Sequence, residues 1–202
     1  MPSIRAQQLI DWIVQHLGKP DLMGVEIGVN PGATSRDLLK RFPKLHLLMV
    51  DPWKSGYGGG DRMSKQPQEW HDQARNEALK ATEFASDRRS VFETTWAEAA
   101  MFVESIDFSF IDGNHSYEAV RLDSTLVWER LVPGGLMMGH DYNRPSVKRA
   151  VMEFAESLAE QRSNETGKVE GIAVLTGEHA TWMIIKPQDT DPKSDRSLWR
   201  KE

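Results

Sequence analysis

The chain has 202 residues, 39% hydrophobic and 27% charged, proportions that argue against wholesale disorder and suit one compact α/β domain. With 25 basic against 30 acidic residues its net charge is −5, so the basic face expected of a nucleic-acid binder is lacking and a small-molecule partner is favoured. There is no cysteine, which removes disulfides, thiolate metal sites and cysteine nucleophiles together and fits a reducing cytoplasm.

Near the N-terminus Ile4, Leu9, Ile10, Ile13, Val14 and Leu17 recur at helical spacing, and Gly18 and Pro20 stop that helix within residues 1–19. The pattern lacks a signal peptide's unbroken apolar stretch, and no run approaches the ~18 apolar residues of a membrane helix. MGVEIGV, from Met23, reads as a buried parallel strand. Pro31 and Gly32 turn the chain, Ala33 to Phe42 reads as a helix, and LHLLMV forms a second strand ending on Asp51. Periodicity breaks over 54–66, where SGYGGGDRMSKQPQ holds four glycines; this is a surface loop, and its Tyr57–Gln66 part is a candidate mobile lid. Helical spacing resumes from Trp70 to Phe84. SVFE is a short strand, Trp96 to Val103 a short helix and IDFSFID a clear strand. Tyr117 to Leu131 is helical and is closed by Val132, Pro133, Gly134 and Gly135. GLMMGHD is the next strand, Ser146 to about Ala159 the next helix, and GIAVLTGEHATWMIIKP gives two strands around a tight GEH turn. Alternating strands and helices ending in a hairpin imply a Rossmann-like three-layer sandwich. Its seven-stranded sheet is mostly parallel with a C-terminal antiparallel hairpin, in a single domain over 1–188. The polar tail 189–202 reads as disordered.

GVEIGVNPGATS lies where the first strand turns into a helix. Gly28 and Gly32 let the backbone fold tightly and approach a ligand, and the amides opening the next helix can hold a polar group. Asp51 ends the neighbouring strand, where a carboxylate can accept bonds from a ribose diol. The dinucleotide pattern G-x-G-x-x-G is not met, because Asn30 takes its middle glycine place and Ala33 its third. Glu26 also argues against a pyrophosphate, which it would repel. Trp53 can flank the ligand or pack under the loop.

A second constellation follows. Asp112 ends a strand, His115 lies three residues on, Tyr117 opens a helix, and His140 and Asp141 end the adjacent strand. Two carboxylates and up to two imidazoles thus face one crevice. An imidazole can take a proton from an attacking hydroxyl near neutral pH, so His115 is the candidate base, although a capping or surface histidine would look the same. His140 can also point into the core, and Asp112 can serve as a cofactor or substrate contact without metal. Tyr117 either orients His115 or packs at the helix start. His71 reaches the site only if its segment folds over.

E-x-G-x-N-x-G followed by VDPW resembles motif I and the second-strand acid of class I S-adenosylmethionine-dependent methyltransferases. With D-x-x-H-x-Y and the later HDY, the chain resembles a family 24-like subgroup of small O-methyltransferases, a look shared with sugar and macrolide methyltransferases, over roughly Met23 to Ile185. The resemblance implies that Glu26, Gly28, Asn30, Gly32 and Ser35 hold the methionine part of S-adenosylmethionine, Asp51 the ribose, and that Trp53 and Asp112 adjoin it. It implies methyl transfer to a hydroxyl oxygen of a small-molecule acceptor, with His115 and Asp112 catalytic. It further implies a divalent metal, Mg2+ or another, at Asp112, His140 and Asp141. His140 stands where many relatives have an acid, and an imidazole tilts a site toward transition metals. A nucleotide-dependent oxidoreductase and a non-catalytic ligand-binding protein are the alternatives. The N-terminal helix and the lid are candidate surfaces for a homodimer.

Overall fold

The computed structural model describes residues 2–57, 63–166 and 173–188. Helix α1 (Ile4–His16) leads into β1 (Met23–Ile27), α2 (Ala33–Arg41), β2 (His46–Val50), α3 (Gln68–Ala81) and β3 (Arg89–Phe92). Then come α4 (Trp96–Ala99), β4 (Ile106–Ile111), α5 (Tyr117–Arg130), β5 (Leu131–Gly139), α6 (Pro145–Thr166), β6 (Leu175–Thr176) and β7 (Trp182–Ile185). The strands form one seven-stranded sheet in the order β3-β2-β1-β4-β5-β7-β6. The first five run parallel, and β7 is antiparallel to both β5 and β6. This is the three-layer arrangement the alternating pattern implies.

Burial on both faces explains the apolar strands. All six residues of β4 are buried, as the centre of a doubly covered parallel sheet requires. One face packs Trp96, Val120, Val127 and Phe154 from α4, α5 and α6; the other packs Leu9, Ile13, Leu38 and Ala78 from α1, α2 and α3. Helix starts are set locally. Ser3 and Ser116 accept from the amides of Ala6 and Ala119, and Thr95 forms a reciprocal capping box with Glu98. Strand order reverses direction between β1 and β4, so a crevice opens at the carboxyl ends of these strands, the place where open α/β sheets bind ligands.

Three boundaries depart from the sequence reading. Helix α6 runs about two turns beyond Ala159, because no glycine or proline interrupts it before Gly167. Strand β5 begins at Leu131, with a register irregularity against β4, and stops at Gly139, so His140 and Asp141 lie beyond its end. The hairpin is less regular than expected. Its outer strand has two residues, and its turn includes His179 and Ala180 at positive φ rather than a tight GEH corner. Part of the expected outer strand, part of the lid segment and the whole polar tail lie outside the described residues. Among the described residues no helix is long and apolar enough to cross a membrane.

Candidate active site

Strand β1 runs out into Gly28, whose φ is +89°. A Cβ there would lie 2.3 Å from the Asp112 carbonyl oxygen, so the close approach of the first and fourth strand ends requires glycine. The Gly28 amide donates to the Val50 carbonyl and the Asp112 amide to the Ile27 carbonyl, each at 2.8 Å. Three strand ends are thereby locked together. Asn30 at φ +51° and Gly32 at φ +76° carry the chain round into α2.

The loop is clasped to the end of β2. The Asn30 amide donates to one Asp51 carboxylate oxygen at 2.9 Å and the Trp53 amide to the other at 2.7 Å. The Trp53 indole N–H returns a bond to the Asn30 carbonyl at 3.0 Å. Trp53 therefore both flanks the cavity and packs under the loop. Burial pushes the Asp51 carboxyl up despite those amide bonds. Asn30 Oδ1 and His71 Nε2 are buried without hydrogen-bond partners among the described residues, and both residues line the cavity. A polar ligand would satisfy such atoms, so the loop and its surroundings fit a cofactor rich in donors and acceptors.

Glu26 and Ser35 stand differently from the expectation. Neither lines the cavity; the Ser35 hydroxyl donates to the buried Glu26 carboxylate beneath the loop. They brace α2 against β1. Gly32, likewise, shapes the turn from outside the cavity wall, with Ala78 close behind it.

At the ends of β4 and β5 the second constellation is assembled. His115 Nε2 lies 2.6 Å from an Asp141 oxygen, and His140 Nδ1 lies 3.4 Å from an oxygen of each of Asp112 and Asp141. One donor atom each from Asp112, His115 and Asp141 all fall within 4.8 Å of one another. His140 thus points at the carboxylates rather than into the core. The His115 carbonyl accepts from Ser146 at 2.7 Å, which anchors its loop to the start of α6. Tyr117 does not orient His115, since its hydroxyl donates to Glu153. Burial opposes charge on His140, but bonding to the two aspartates outweighs it and raises the imidazole to about 9. Hydrogen bonds from His115 and His140 hold the Asp141 carboxyl far below its usual range. For Asp112, burial is likewise outweighed by the two imidazoles and by Arg5.

A methyltransferase-domain family profile matches residues 25–142, more than half of the chain, from within β1 to Tyr142. The chain belongs to this methyltransferase family. No match was found among curated proteins. Among solved structures, an O-methyltransferase of Bacillus cereus in complex with SAH is similar at 12% identity and TM-score 0.59, over 92% of this chain and 82% of that one. The O-methyltransferase TomG of Streptomyces achromogenes, involved in tomaymycin synthesis and solved with SAM, is similar at 13% identity and TM-score 0.60, over 92% and 81%. A caffeoyl-CoA O-methyltransferase assigned in Staphylococcus aureus shows 16% identity and TM-score 0.57, over 92% and 84%. At these identities the likeness establishes the fold.

Two residues of this methyltransferase escaped the sequence reading. Arg5, on α1, donates to Asp112 at 2.7 Å and to Thr34 at 3.2 Å, and lies outside the matched segment. It fixes one Asp112 oxygen and leaves the other toward the imidazoles. Nothing local marks it, because the contact spans 107 positions. Asp123, on α5, lines the cavity as well. A signal for it did exist: it sits three residues after Val120 and four before Val127, on the apolar stripe of its helix.

Glu26 carries a stability prediction. Burial pushes its carboxyl up to about 8, against the Ser35 bond and the Arg5 charge. Between the ordinary value of 4.5 and about 8 the folded state holds a proton that the unfolded state has released. The Glu26 contribution is therefore full at acid pH and is lost as pH rises through that window. Glu26→Gln is expected to gain several degrees of Tm relative to the parent at pH 8.5 compared with pH 5.0, read by thermal unfolding at both pH values. A constant difference would remove the linkage.

Proposed function

We propose that the chain is an S-adenosylmethionine-dependent O-methyltransferase acting on a hydroxyl of a small molecule in the cytoplasm. The observation that carries this reading is one continuous cavity bordered by both Asp51 and His115. The ribose acid and the candidate base share a single space. Two of the structurally similar proteins, from Bacillus cereus and Streptomyces achromogenes, are O-methyltransferases solved with SAH and SAM, which supports the choice of cofactor and of oxygen as acceptor.

S-adenosylmethionine supplies a methyl group already made electrophilic by its sulfonium, so the protein's task is alignment, exclusion of water and removal of a proton. The Gly28–Gly32 loop receives the methionine part and Asp51 the ribose hydroxyls. His115 accepts the acceptor's hydroxyl proton. Asp141, at 2.6 Å, orients the imidazole and stabilises its charged form. Two carboxylates and an imidazole nitrogen suit a divalent metal; Asp112 and Asp141 would hold it, with His140 as the third donor once its imidazole has given up its proton. When bound, such a metal lowers the pKa of a coordinated hydroxyl. Met63 and Ser64, from the lid segment, line the cavity and exclude water on that side.

The test is release of S-adenosylhomocysteine from S-adenosylmethionine across a panel of phenols and alcohols, with and without chelator. Turnover with an oxygen acceptor is expected, and Asp51→Ala should raise the KM for S-adenosylmethionine by about 10-fold or more, as expected for loss of a buried charged hydrogen-bond pair. Turnover confined to amine or thiol acceptors would contradict the oxygen assignment.

A further inference from the structure

The two carboxylates of the second constellation are each gripped from two sides. Asp112 Oδ2 accepts from Arg5 at 2.7 Å, while its Oδ1 lies 3.4 Å from His140 and 3.9 Å from His115. Asp141 repeats the pattern. Its Oδ1 lies 3.2 Å from the Arg144 guanidinium, and its Oδ2 lies 2.6 Å from His115 and 3.4 Å from His140. Both carboxylates therefore turn one oxygen inward to the imidazoles and the other outward to an arginine. The side chains of Asp112 and Asp141 are only 13% and 18% exposed, and carboxylates so placed are costly unless paired.

The two arginines are not equal. Arg5 is held at three points: by Asp112, by the Thr34 hydroxyl at 3.2 Å, and over the Phe110 ring at 5.7 Å from its centroid. It is carried by α1, which packs against α2 and β5 and lies outside the segment matched to the family. Arg144 follows Asp141 by three positions, and its side chain is 45% exposed, so solvent screens its charge. A guanidinium does not give up its charge in a protein. A divalent cation entering between Asp112 and Asp141 thus meets a competitor. It needs the carboxylate charge that Arg5 already uses, and it is repelled by that guanidinium at short range.

We propose that Arg5, with Arg144 as its weaker partner, is the resident counter-cation of the Asp112–Asp141 pair, keeping the pair assembled without metal and its affinity for divalent cations low. The two arginines are positioning residues, which keep Asp141 aimed at His115 whether or not a metal is bound. Their bearing on methyl transfer rests on the O-methyltransferase reading; their effect on metal affinity does not.

The experiment is calorimetric titration of Mn2+ alone, without cofactor, into the full chain and into Arg5→Met, Arg5→Lys and Arg144→Met. Arg5→Met keeps an unbranched stem without the charge and is expected to bind Mn2+ about 10-fold or more tightly than the parent. Arg144→Met should bind about twofold to threefold more tightly, because its charge is screened. Arg5→Lys retains the charge and should stay within about threefold of the parent. Asp112→Asn added to Arg5→Met should abolish the gain. A purely structural role for Arg5 has the opposite sign, since disordered carboxylates would bind Mn2+ more weakly. Unchanged or weaker binding in Arg5→Met, a gain that survives Asp112→Asn, or Arg5→Lys behaving as Arg5→Met would overturn the proposal. If loss of the α1 contact unfolds Arg5→Met, Arg144→Met still carries the sign, and unchanged or weaker binding there would overturn it. Because S-adenosylmethionine is absent, failure here leaves the cofactor reading standing, and failure of cofactor binding leaves the metal result standing.

Discussion

His115→Ala is expected to lower kcat for methyl transfer by about 10²- to 10⁴-fold, the range of a lost general base, while the Kd for S-adenosylmethionine stays within about threefold. The separation follows from position. The contacts proposed for the cofactor's ribose and methionine lie on the β1 loop and at Asp51, whereas the His115 imidazole is engaged with Asp141. Asp141→Asn should produce a smaller loss of the same kind, because the imidazole keeps its place but loses the charge that stabilises its protonated form. Steady-state kinetics and calorimetry on the same preparations read both quantities. Full activity in His115→Ala would remove it as the base, and a matching loss of cofactor affinity would make it a binding residue instead.

Gly28→Ala should have the largest effect on the scaffold. Alanine at φ +89° carries a left-handed penalty of about 1–2 kcal/mol. Its Cβ would also sit 2.3 Å from the Asp112 carbonyl oxygen and 2.6 Å from the Gly113 Cα. Both are backbone atoms and cannot rotate away, so β1 and β4 must part where the site is built. A Tm lower by roughly 5–10 °C is expected, using about 2–4 °C per kcal/mol for a domain of this size, with cofactor binding weakened about 100-fold or beyond detection. Gly56→Ala is the control. Gly56 also has positive φ, but nothing lies within 4 Å of its added Cβ, so only the conformational penalty should appear. Equal effects of the two substitutions would show that backbone strain, not the strand contact, sets the cost.

What the sequence made legible is what local signals encode. Gly28, Asn30 and Gly32 turn between a strand and a helix, and Asp51, Asp112, His140 and Asp141 follow strand ends, so a parallel sheet brings them to its carboxyl end. The glycine turn by itself left a nucleotide-dependent oxidoreductase open; the family match over residues 25–142 decides for a methyltransferase. Contacts set by packing were not legible. Arg5 reaches Asp112 only because α1 packs against α2 and β5, and Tyr117 turns to Glu153 because α5 and α6 pack together. Motif membership also concealed a division of labour, since Glu26 and Ser35 belong to the cofactor loop in sequence but bond to each other beneath it. Asp123 was hidden by its type, because a charged residue in a helix is read as solvent-facing unless its place on the apolar stripe is counted.

The most direct measurement of the central claim is calorimetric titration of S-adenosylmethionine into the full chain, in chelator and again with magnesium or manganese. Saturable one-to-one binding that Asp51→Ala weakens is the predicted result. Absence of binding under every condition, with the protein folded by circular dichroism, would contradict the assignment of this cavity to S-adenosylmethionine.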